Sequence, residues 1–348
     1  MAKKKNNKWL VTLLFIGLLG GVGYFIYTKY FAGAIHLKNK NYTYIFIESN
    51  DTLEDVINDI NAENIIDDVK AFEWLAKKMD LDKNINAGKY RITNGMTMRQ
   101  IINLIKYNKQ EKIKLTFNSQ IHNLDEFVSY TADKLELNEN ELEEFLSDDK
   151  LLQNTFNLNP KNCFAMITPT TYEVSWAIKL SDLINQLKIN YNLIWNSYRV
   201  NQSKKIGYSI AEVITLASIV QSESGISSEQ QKIAGVYVNR LNKNMLLQAD
   251  PTLKFANKNF DAKRVLDEDK ETNSPYNTYK YKGLPPGPIC LVYPQAIDAV
   301  LNYTKHKYIF FCAKPSLNGY SDFSETYEQH AKFAKAYQKE MNKRGINR

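Results

Sequence analysis

Residues 209–225, SIAEVITLASIVQSESG, predict a helix around which the rest of the chain is organised. Ser209 and Glu212 have the S-x-x-E spacing of a capping box, which marks the start of a helix. Apolar residues then recur at helical spacing, so most of this helix is expected to be buried. Gly225 is the expected stop.

Glu223 continues the apolar stripe of this helix, four residues after Ile219 and three after Val220. Partial burial and the negative end of the helix dipole both favour the protonated form of its carboxyl group. A carboxylic acid that holds its proton near neutral pH is suited to general acid catalysis. The alternative is an ordinary solvated glutamate where the helix frays, and the pattern alone leaves both interpretations open.

Length and composition indicate a globular protein with room for two domains. The chain has 348 residues and a net charge of +7, from 45 basic and 38 acidic residues, which is too diffuse to indicate nucleic-acid binding. Cys163, Cys290 and Cys312 lack C-x-x-C spacing and indicate neither a disulfide framework nor a zinc site, although one pair can form in an oxidising compartment. The four histidines are scattered, so we predict no metal site and no cofactor.

An apolar run near the N-terminus predicts a membrane anchor. Residues 9–27 carry no charge, and at about 1.5 Å per residue they nearly match a hydrocarbon core of roughly 30 Å. We therefore predict a transmembrane helix at 9–30 and, from the lysines before it, a cytoplasmic tail at 1–8. The protein would then be a single-pass protein of the cell (inner) membrane with its remainder outside the cytoplasm. A cleaved signal peptide, ending near residues 32–34, is the alternative.

Two folded regions are predicted after the anchor. Residues 42–112 have the pattern of a strand, two helices and a further strand, in a compact unit. Residues 113–345 have a mixed pattern of helices and short strands, beginning with a connecting segment at 113–160. Ser228 and Gln231 suggest a second capping box, and residues 246–289 read mostly as polar loop. The predicted fold class is α+β.

Six ordered blocks closely resemble the endolytic murein transglycosylases, or YceG-like proteins. The blocks are LASIVQSES, VNRL, LLQADPT, SPYNTY, GLPPGPI and FSETYEQH. The resemblance covers nearly the whole chain and implies a membrane anchor, a LysM-like module at 42–112 and a larger α+β catalytic domain at 113–345. It further implies a lytic transglycosylase, a carbon-oxygen lyase that cuts peptidoglycan between MurNAc and GlcNAc and leaves a 1,6-anhydro-MurNAc end.

The resemblance also implies the site residues. The family's catalytic glutamate lies in a block with two acidic positions, and because the first is Gln221 here, Glu223 is the carboxylate that matches. It would donate a proton to the glycosidic oxygen and then accept one from the attacking C6 hydroxyl. The residues expected to bind substrate are Asn239, Arg240, Gln248, Asp250, Asn277, Thr278 and Tyr279. His330 also matches a family position, but a lone histidine on a helix is more often structural.

Two rival functions remain open from the sequence. One is a non-catalytic, membrane-anchored scaffold that binds peptidoglycan, an interpretation favoured by the loss of acidic residues of the family pattern at Gln221 and Thr170. The other is a muramidase that uses water, which requires Asp250 to act as a second carboxylate. The expected partners are peptidoglycan glycan strands, the membrane and, by resemblance, peptidoglycan synthases that elongate those strands.

Overall fold

The computed structural model describes residues 8–30, 35, 37–38, 40–262 and 265–344. These residues form two compact units. The first comprises the chain up to 114 and two short returns, 134–136 and 173–178. The second comprises 115–133, 137–172 and the chain from 179 onward. The architecture is mixed α+β, as predicted, and the strands that the structure describes form three two-stranded sheets.

The segment predicted as a membrane anchor is helical, as α1 (Lys8–Tyr30). Across the described ranges, no helix is both long enough and apolar enough to cross a membrane. The predicted anchor is therefore not confirmed. Most of the predicted cytoplasmic tail, 1–7, lies outside the described residues.

The first unit has the predicted order of strand, two helices and strand, followed by one more helix. Its antiparallel sheet pairs Tyr42 with Thr93 and Ile47 with Gly88. Thr52 and Thr97 each begin a helix through a capping box. Its elements are β1 (Tyr42–Ile47), α2 (Leu53–Ala62), α3 (Val69–Lys78), β2 (Gly88–Thr93) and α4 (Met98–Lys106). The identification of this unit as LysM-like stays a prediction.

The second unit is mainly helical. Its strands are β3 (Ile113–Phe117), β4 (Thr170–Val174), β5 (Phe310–Ala313) and β6 (Ser321–Ser324). The first two residues of β3 and the last two residues of β4 belong to the first unit. Its helices are α5 (Leu124–Lys134, of which the last residue belongs to the first unit), α6 (Glu139–Ser147), α7 (Asp149–Phe156), α8 (Leu180–Ile194), α9 (Ser197–Ile206), α10 (Ile210–Glu223), α11 (Ser227–Asn242), α12 (Asp250–Ala256), α13 (Pro294–Leu301) and α14 (Tyr327–Lys343).

The predicted organising helix, α10, lies at the centre of this unit. Its capping box is present: the Glu212 N–H donates to Ser209 Oγ at 3.2 Å, and the Ser209 N–H donates to Glu212 Oε2 at 2.7 Å. Residues 213–220 are all buried, and the helix packs against α9, α11, α12 and α13. Burial on all sides explains why nearly every position in this stretch is apolar or small.

Several local predictions were wrong. The capping box at Ser228 is not formed, because α11 begins at Ser227, so that Ser228 lies inside the first turn and the N-cap residue, Ile226, has no side-chain acceptor. The region predicted as polar loop contains α12, which begins with Asp250 and a proline in its first turn, where the missing N–H costs nothing. The strand β6 and the helices α7 and α9 were not predicted. All three cysteines are free thiols.

Candidate active site

A cavity of about 550 Å³ in the second unit opens at the C-terminal end of α10. Five of the eight predicted site residues line it: Glu223, Arg240, Gln248, Asp250 and Tyr279. The remaining lining residues are Leu247, Lys270, Phe310, Phe311, Tyr327 and His330. The structure therefore brings together residues from α10, α11, α12, β5, α14 and the loops between them.

Glu223 is the last residue of α10, and its partly buried carboxyl group faces this cavity. The hydroxyl of Tyr237 donates to Glu223 Oε1 at 2.6 Å. Tyr237 belongs to α11 and is only 1% exposed, with its ring packed edge-on against Phe311. This contact holds one carboxyl oxygen in place and leaves the other oxygen to the cavity.

Burial raises the pKa of Glu223 to about 7. The negative charge of Asp250 raises the pKa further, whereas the Tyr237 hydrogen bond and the positive charge of Lys254 lower it. Burial also raises the pKa of Tyr237 well above its ordinary value, so this hydroxyl keeps its proton and remains a donor. The site therefore holds a carboxyl group that is partly protonated at neutral pH, which is one of the two interpretations that the sequence left open.

We expect Glu223→Gln to stabilise the fold most above pH 7. Between the ordinary pKa of 4.5 and the folded pKa of about 7, the unfolded chain loses this proton first, so wild-type stability falls as pH rises. Glutamine does not titrate, and the difference in the free energy of unfolding should grow by about 1–3 kcal/mol across that window. Denaturant unfolding of both proteins at pH 5 and pH 8 measures it, and a constant difference would contradict the raised pKa.

A second carboxylate, Asp250, lies in the same cavity at the first residue of α12. The hydroxyl of Tyr279 donates to Asp250 Oδ1. Burial, followed by the hydrogen bond to Asp250, raises the pKa of Tyr279, so this tyrosine also remains a donor. Tyr279 thus orients Asp250 as Tyr237 orients Glu223, and two tyrosine-bound carboxyl groups face one cavity.

Arg240 and Gln248 line the cavity beside these carboxyl groups, and their hydrogen bonds hold the surrounding backbone in place. The Arg240 guanidinium donates to the backbone oxygens of Leu247 at 2.8 Å and Ile309 at 2.7 Å, and to Gln248 Oε1 at 3.2 Å. Gln248 has a left-handed backbone with φ of 52°, which a non-glycine residue adopts only when its surroundings hold it there. Arg240 therefore holds this loop in shape, and most of its donors are already occupied.

Three predicted substrate-binding residues do not line the cavity. Asn239 donates to the backbone oxygens of His306 at 2.8 Å and Tyr308 at 2.9 Å. The Thr278 hydroxyl accepts from the Ala249 N–H at 3.0 Å, next to the start of α12. Asn277 is fully buried and donates to two backbone oxygens. These side chains shape the loops that carry Asp250 and Tyr279, and the structure gives them no direct access to a ligand in this cavity.

We expect Asn277→Ala to destabilise the protein by about 2–4 kcal/mol, because the change leaves buried polar groups without partners. The Asn277 amide donates to Lys270 O at 2.9 Å and Thr272 O at 2.8 Å, and its Oδ1 accepts from the Tyr279 N–H at 3.0 Å. Thermal unfolding measures the loss. A variant of wild-type stability that binds glycan less tightly would instead make Asn277 a substrate contact.

Sequence reasoning missed Tyr237 and the six further residues that line the cavity, among them His330. No local pattern marks the hydroxyl of Tyr237. His330 was expected to be structural, but it lines the cavity, stacked on Phe310 with ring centroids 5.2 Å apart. Among the described residues its Nδ1 has no hydrogen-bond partner, and burial lowers the pKa of His330, which favours the neutral ring. The family position of His330 was the available signal.

Gln221, which replaces an acidic residue of the family pattern, faces away from this cavity. Its Nε2 donates to Leu291 O at 2.9 Å, and its Oε1 accepts from the Tyr293 N–H at 2.8 Å. A carboxylate accepts but cannot donate, so only an amide makes both contacts. Gln221 therefore fastens the loop before α13 to α10.

Comparisons with known proteins agree with these features. The model of the YceG-like family matches residues 45–336. The protein named endolytic murein transglycosylase of Bacillus subtilis strain 168 is 29% identical over 345 residues, covering 94% of this chain and 93% of that protein. A protein of that name from Streptococcus pneumoniae strain D39 is 25% identical, and the match covers 86% of this chain but only 60% of the relative.

One solved structure shares the fold. A crystal structure of a yceG-like protein from Listeria monocytogenes matches with a TM-score of 0.56 and 24% sequence identity. The match covers 84% of this chain and 99% of that one. At this identity the likeness supports the fold alone.

Proposed function

Because the chain belongs to the YceG-like family, we propose that it is a lytic transglycosylase that cuts peptidoglycan. The observation that carries the proposal is the carboxyl group of Glu223, with its pKa raised to about 7, at the edge of a cavity of about 550 Å³. The curated relatives named endolytic murein transglycosylase support the same reaction class. In this proposal the cut falls inside glycan strands, between MurNAc and GlcNAc, and ends or trims their elongation.

Glu223 performs both proton transfers in the proposed mechanism. Its protonated form donates to the glycosidic oxygen as the bond to C1 breaks. The resulting carboxylate then accepts the proton of the C6 hydroxyl of the same sugar as that oxygen attacks C1 and closes the 1,6-anhydro ring. Because the attacking group belongs to the substrate, the reaction needs no bound water and avoids the entropic cost of positioning one. A pKa near 7 suits a group that must give and then take a proton.

Asp250 supports a second candidate, a muramidase that uses water. Hydrolytic glycosidases need two carboxyl groups, and Asp250 lies in the same cavity, close enough for its charge to raise the pKa of Glu223. In the transglycosylase, the charge of Asp250 would instead stabilise the positive charge that develops at C1. The two candidates differ in their product, since hydrolysis adds one water.

Mass analysis of muropeptides released from purified peptidoglycan by the full-length chain separates these candidates. Anhydro-ended products are the expected result. Reducing-end products, heavier by one water, would establish the muramidase. Retained binding to glycan without any product would favour the non-catalytic scaffold.

The cellular location follows from the substrate. Peptidoglycan lies outside the cytoplasm, so we propose that the second unit faces the extracytoplasmic side of the cell membrane. The single-pass anchor at 9–30 with a cytoplasmic N-terminus, and contact with peptidoglycan synthases, are proposals that rest on the apolar run of the sequence and on the family resemblance. Protease digestion of intact and opened spheroplasts tests the orientation: protection of the second unit in intact spheroplasts would contradict it.

A further inference from the structure

We propose that a second cavity beside Glu223 binds the carboxylate-bearing part of the substrate through Lys254. This inference rests on the proposed function and names a part of the substrate that Glu223 does not touch. The cavity has a volume of about 370 Å³ and belongs to the second unit. The lining residues on which the argument depends are His122, Ser222, Pro251, Lys254, Phe255 and Phe260.

The two cavities lie on opposite sides of one wall, formed by the end of α10 and the start of α12. Adjacent residues face different cavities: Ser222 lines the second cavity and Glu223 the first. In the same way, Pro251 lines the second and Asp250 the first. A glycan cut at Glu223 must extend beyond the broken bond, and the second cavity offers a concave surface to the part that crosses this wall.

Lys254 supplies the second cavity with a positive charge that no described residue neutralises through an ion pair. The neighbouring Lys258 pairs with Asp125 at 3.8 Å, and Asp250 accepts from the Tyr279 hydroxyl. Lys254 is half-buried, and its charge reaches Glu223, whose pKa it lowers. A half-buried ammonium group in a cavity, without an ion pair to any acidic side chain that the structure describes, is suited to a carboxylate of the ligand.

Aromatic rings form a rigid wall beside this charge. His122 stacks on Phe260 with ring centroids 4.0 Å apart and an interplanar angle of 13°. The His122 Nδ1 lies 3.0 Å from Glu126 Oε2, which fixes the ring, and Phe255 packs edge-on against Phe260. Aromatic faces next to one cation match a sugar that carries an acidic substituent. In peptidoglycan that carboxylate belongs either to the stem peptide or, where no peptide is attached, to the lactyl group of MurNAc.

The test measures binding by calorimetry, with the full-length chain carrying Glu223→Gln so that no probe is cleaved. The probes are chitotetraose, which has no carboxylate, and GlcNAc–MurNAc tetrasaccharides with and without stem peptides. We expect Lys254→Gln to weaken binding of at least one carboxylate-bearing probe about tenfold, as for the loss of one charge-assisted contact, and to leave chitotetraose unchanged. Lys254→Arg should retain the preference, and so should Lys258→Gln, the matched control outside both cavities.

The pattern of loss identifies the source of the carboxylate. A loss confined to the peptide-bearing tetrasaccharide assigns Lys254 to the stem peptide, and a loss confined to the peptide-free one assigns it to the lactyl group. The proposal is overturned if Lys254→Gln weakens binding of chitotetraose equally, or if it weakens binding of no probe. It is also overturned if Lys258→Gln causes an equal loss of affinity, or if Lys254→Arg loses the preference for carboxylate-bearing probes. A parent chain that binds none of the probes would overturn it as well. Because no turnover is measured, this result is independent of whether the wild type forms anhydro products.

Discussion

Replacing Glu223 with glutamine is expected to abolish the release of anhydro-ended muropeptides from peptidoglycan. Glutamine has nearly the same shape but can neither donate an acidic proton nor accept one, so both proton transfers are lost. General acid–base catalysis contributes typically about 10²–10⁴-fold, and the loss of both roles places the expected decrease near the upper end of that range. Mass analysis of the products against time measures it.

The matched control is Glu212→Gln at the other end of the same helix. A glutamine at this position still completes the capping box with Ser209, so activity and stability should stay near wild type. Glu223→Gln should also still bind glycan, since the substitution keeps the cavity intact. A Glu223→Gln variant that retains a tenth or more of the wild-type rate would assign the acid to another residue, with Asp250 as the first to examine.

Replacing Tyr237 with phenylalanine is expected to move the alkaline limb of the activity profile to higher pH. The Tyr237 hydrogen bond lowers the pKa of Glu223, so its removal raises that pKa above about 7. Glu223 then stays protonated to a higher pH, which is the direction of the shift. The maximal rate should fall about 10- to 100-fold, because Oε1 is no longer held and the carboxyl group is poorly placed for both transfers.

The control for Tyr237→Phe is Tyr191→Phe on α8. Tyr191 is also buried, and its hydroxyl has no hydrogen-bond partner among the described residues, so the profile of this variant should match the wild type. The measurement is the initial rate of product release from pH 5 to pH 9. An unshifted alkaline limb in Tyr237→Phe would show that Glu223 is not the group whose ionisation the profile reports.

Most elements of the fold were predictable because their signals are local. The helix α10 has its capping box, its apolar period and its end within seventeen consecutive residues, and the strands β1 and β2 alternate within six each. The elements that sequence reasoning missed lack such signals. The helix α9 is largely polar, and α12 has only seven residues within a stretch rich in turn-forming residues. Its first turn is stabilised by Thr278, which lies 29 residues further along the chain than Ala249.

The site was predicted only in part, for a related reason. Asp250 and Tyr279 were recognised as site residues, but their hydrogen bond joins residues 29 apart. The turn-forming sequence around Asn277 indicated a binding loop equally well, although the structure uses that side chain to hold the loop together. A sequence pattern shows that a polar residue is present. Whether it faces a ligand or the backbone depends on how the loop folds over the helices.

The sequence by itself determined that one helix is buried along its length and that a carboxyl group lies at its C-terminal end. The capping residues, the helical period and the apolar pattern that indicates burial all involve residues close together in the sequence, so all three can be recognised along the chain. Only the tertiary structure decided what surrounds that carboxyl group. Tyr237 lies about 15 Å along α11 from its first residue, since each helical residue rises about 1.5 Å, and only the crossing of α10 and α11 brings its hydroxyl to Glu223. Desolvation of Glu223, and with it the raised pKa, likewise requires the packing of the cavity walls around it.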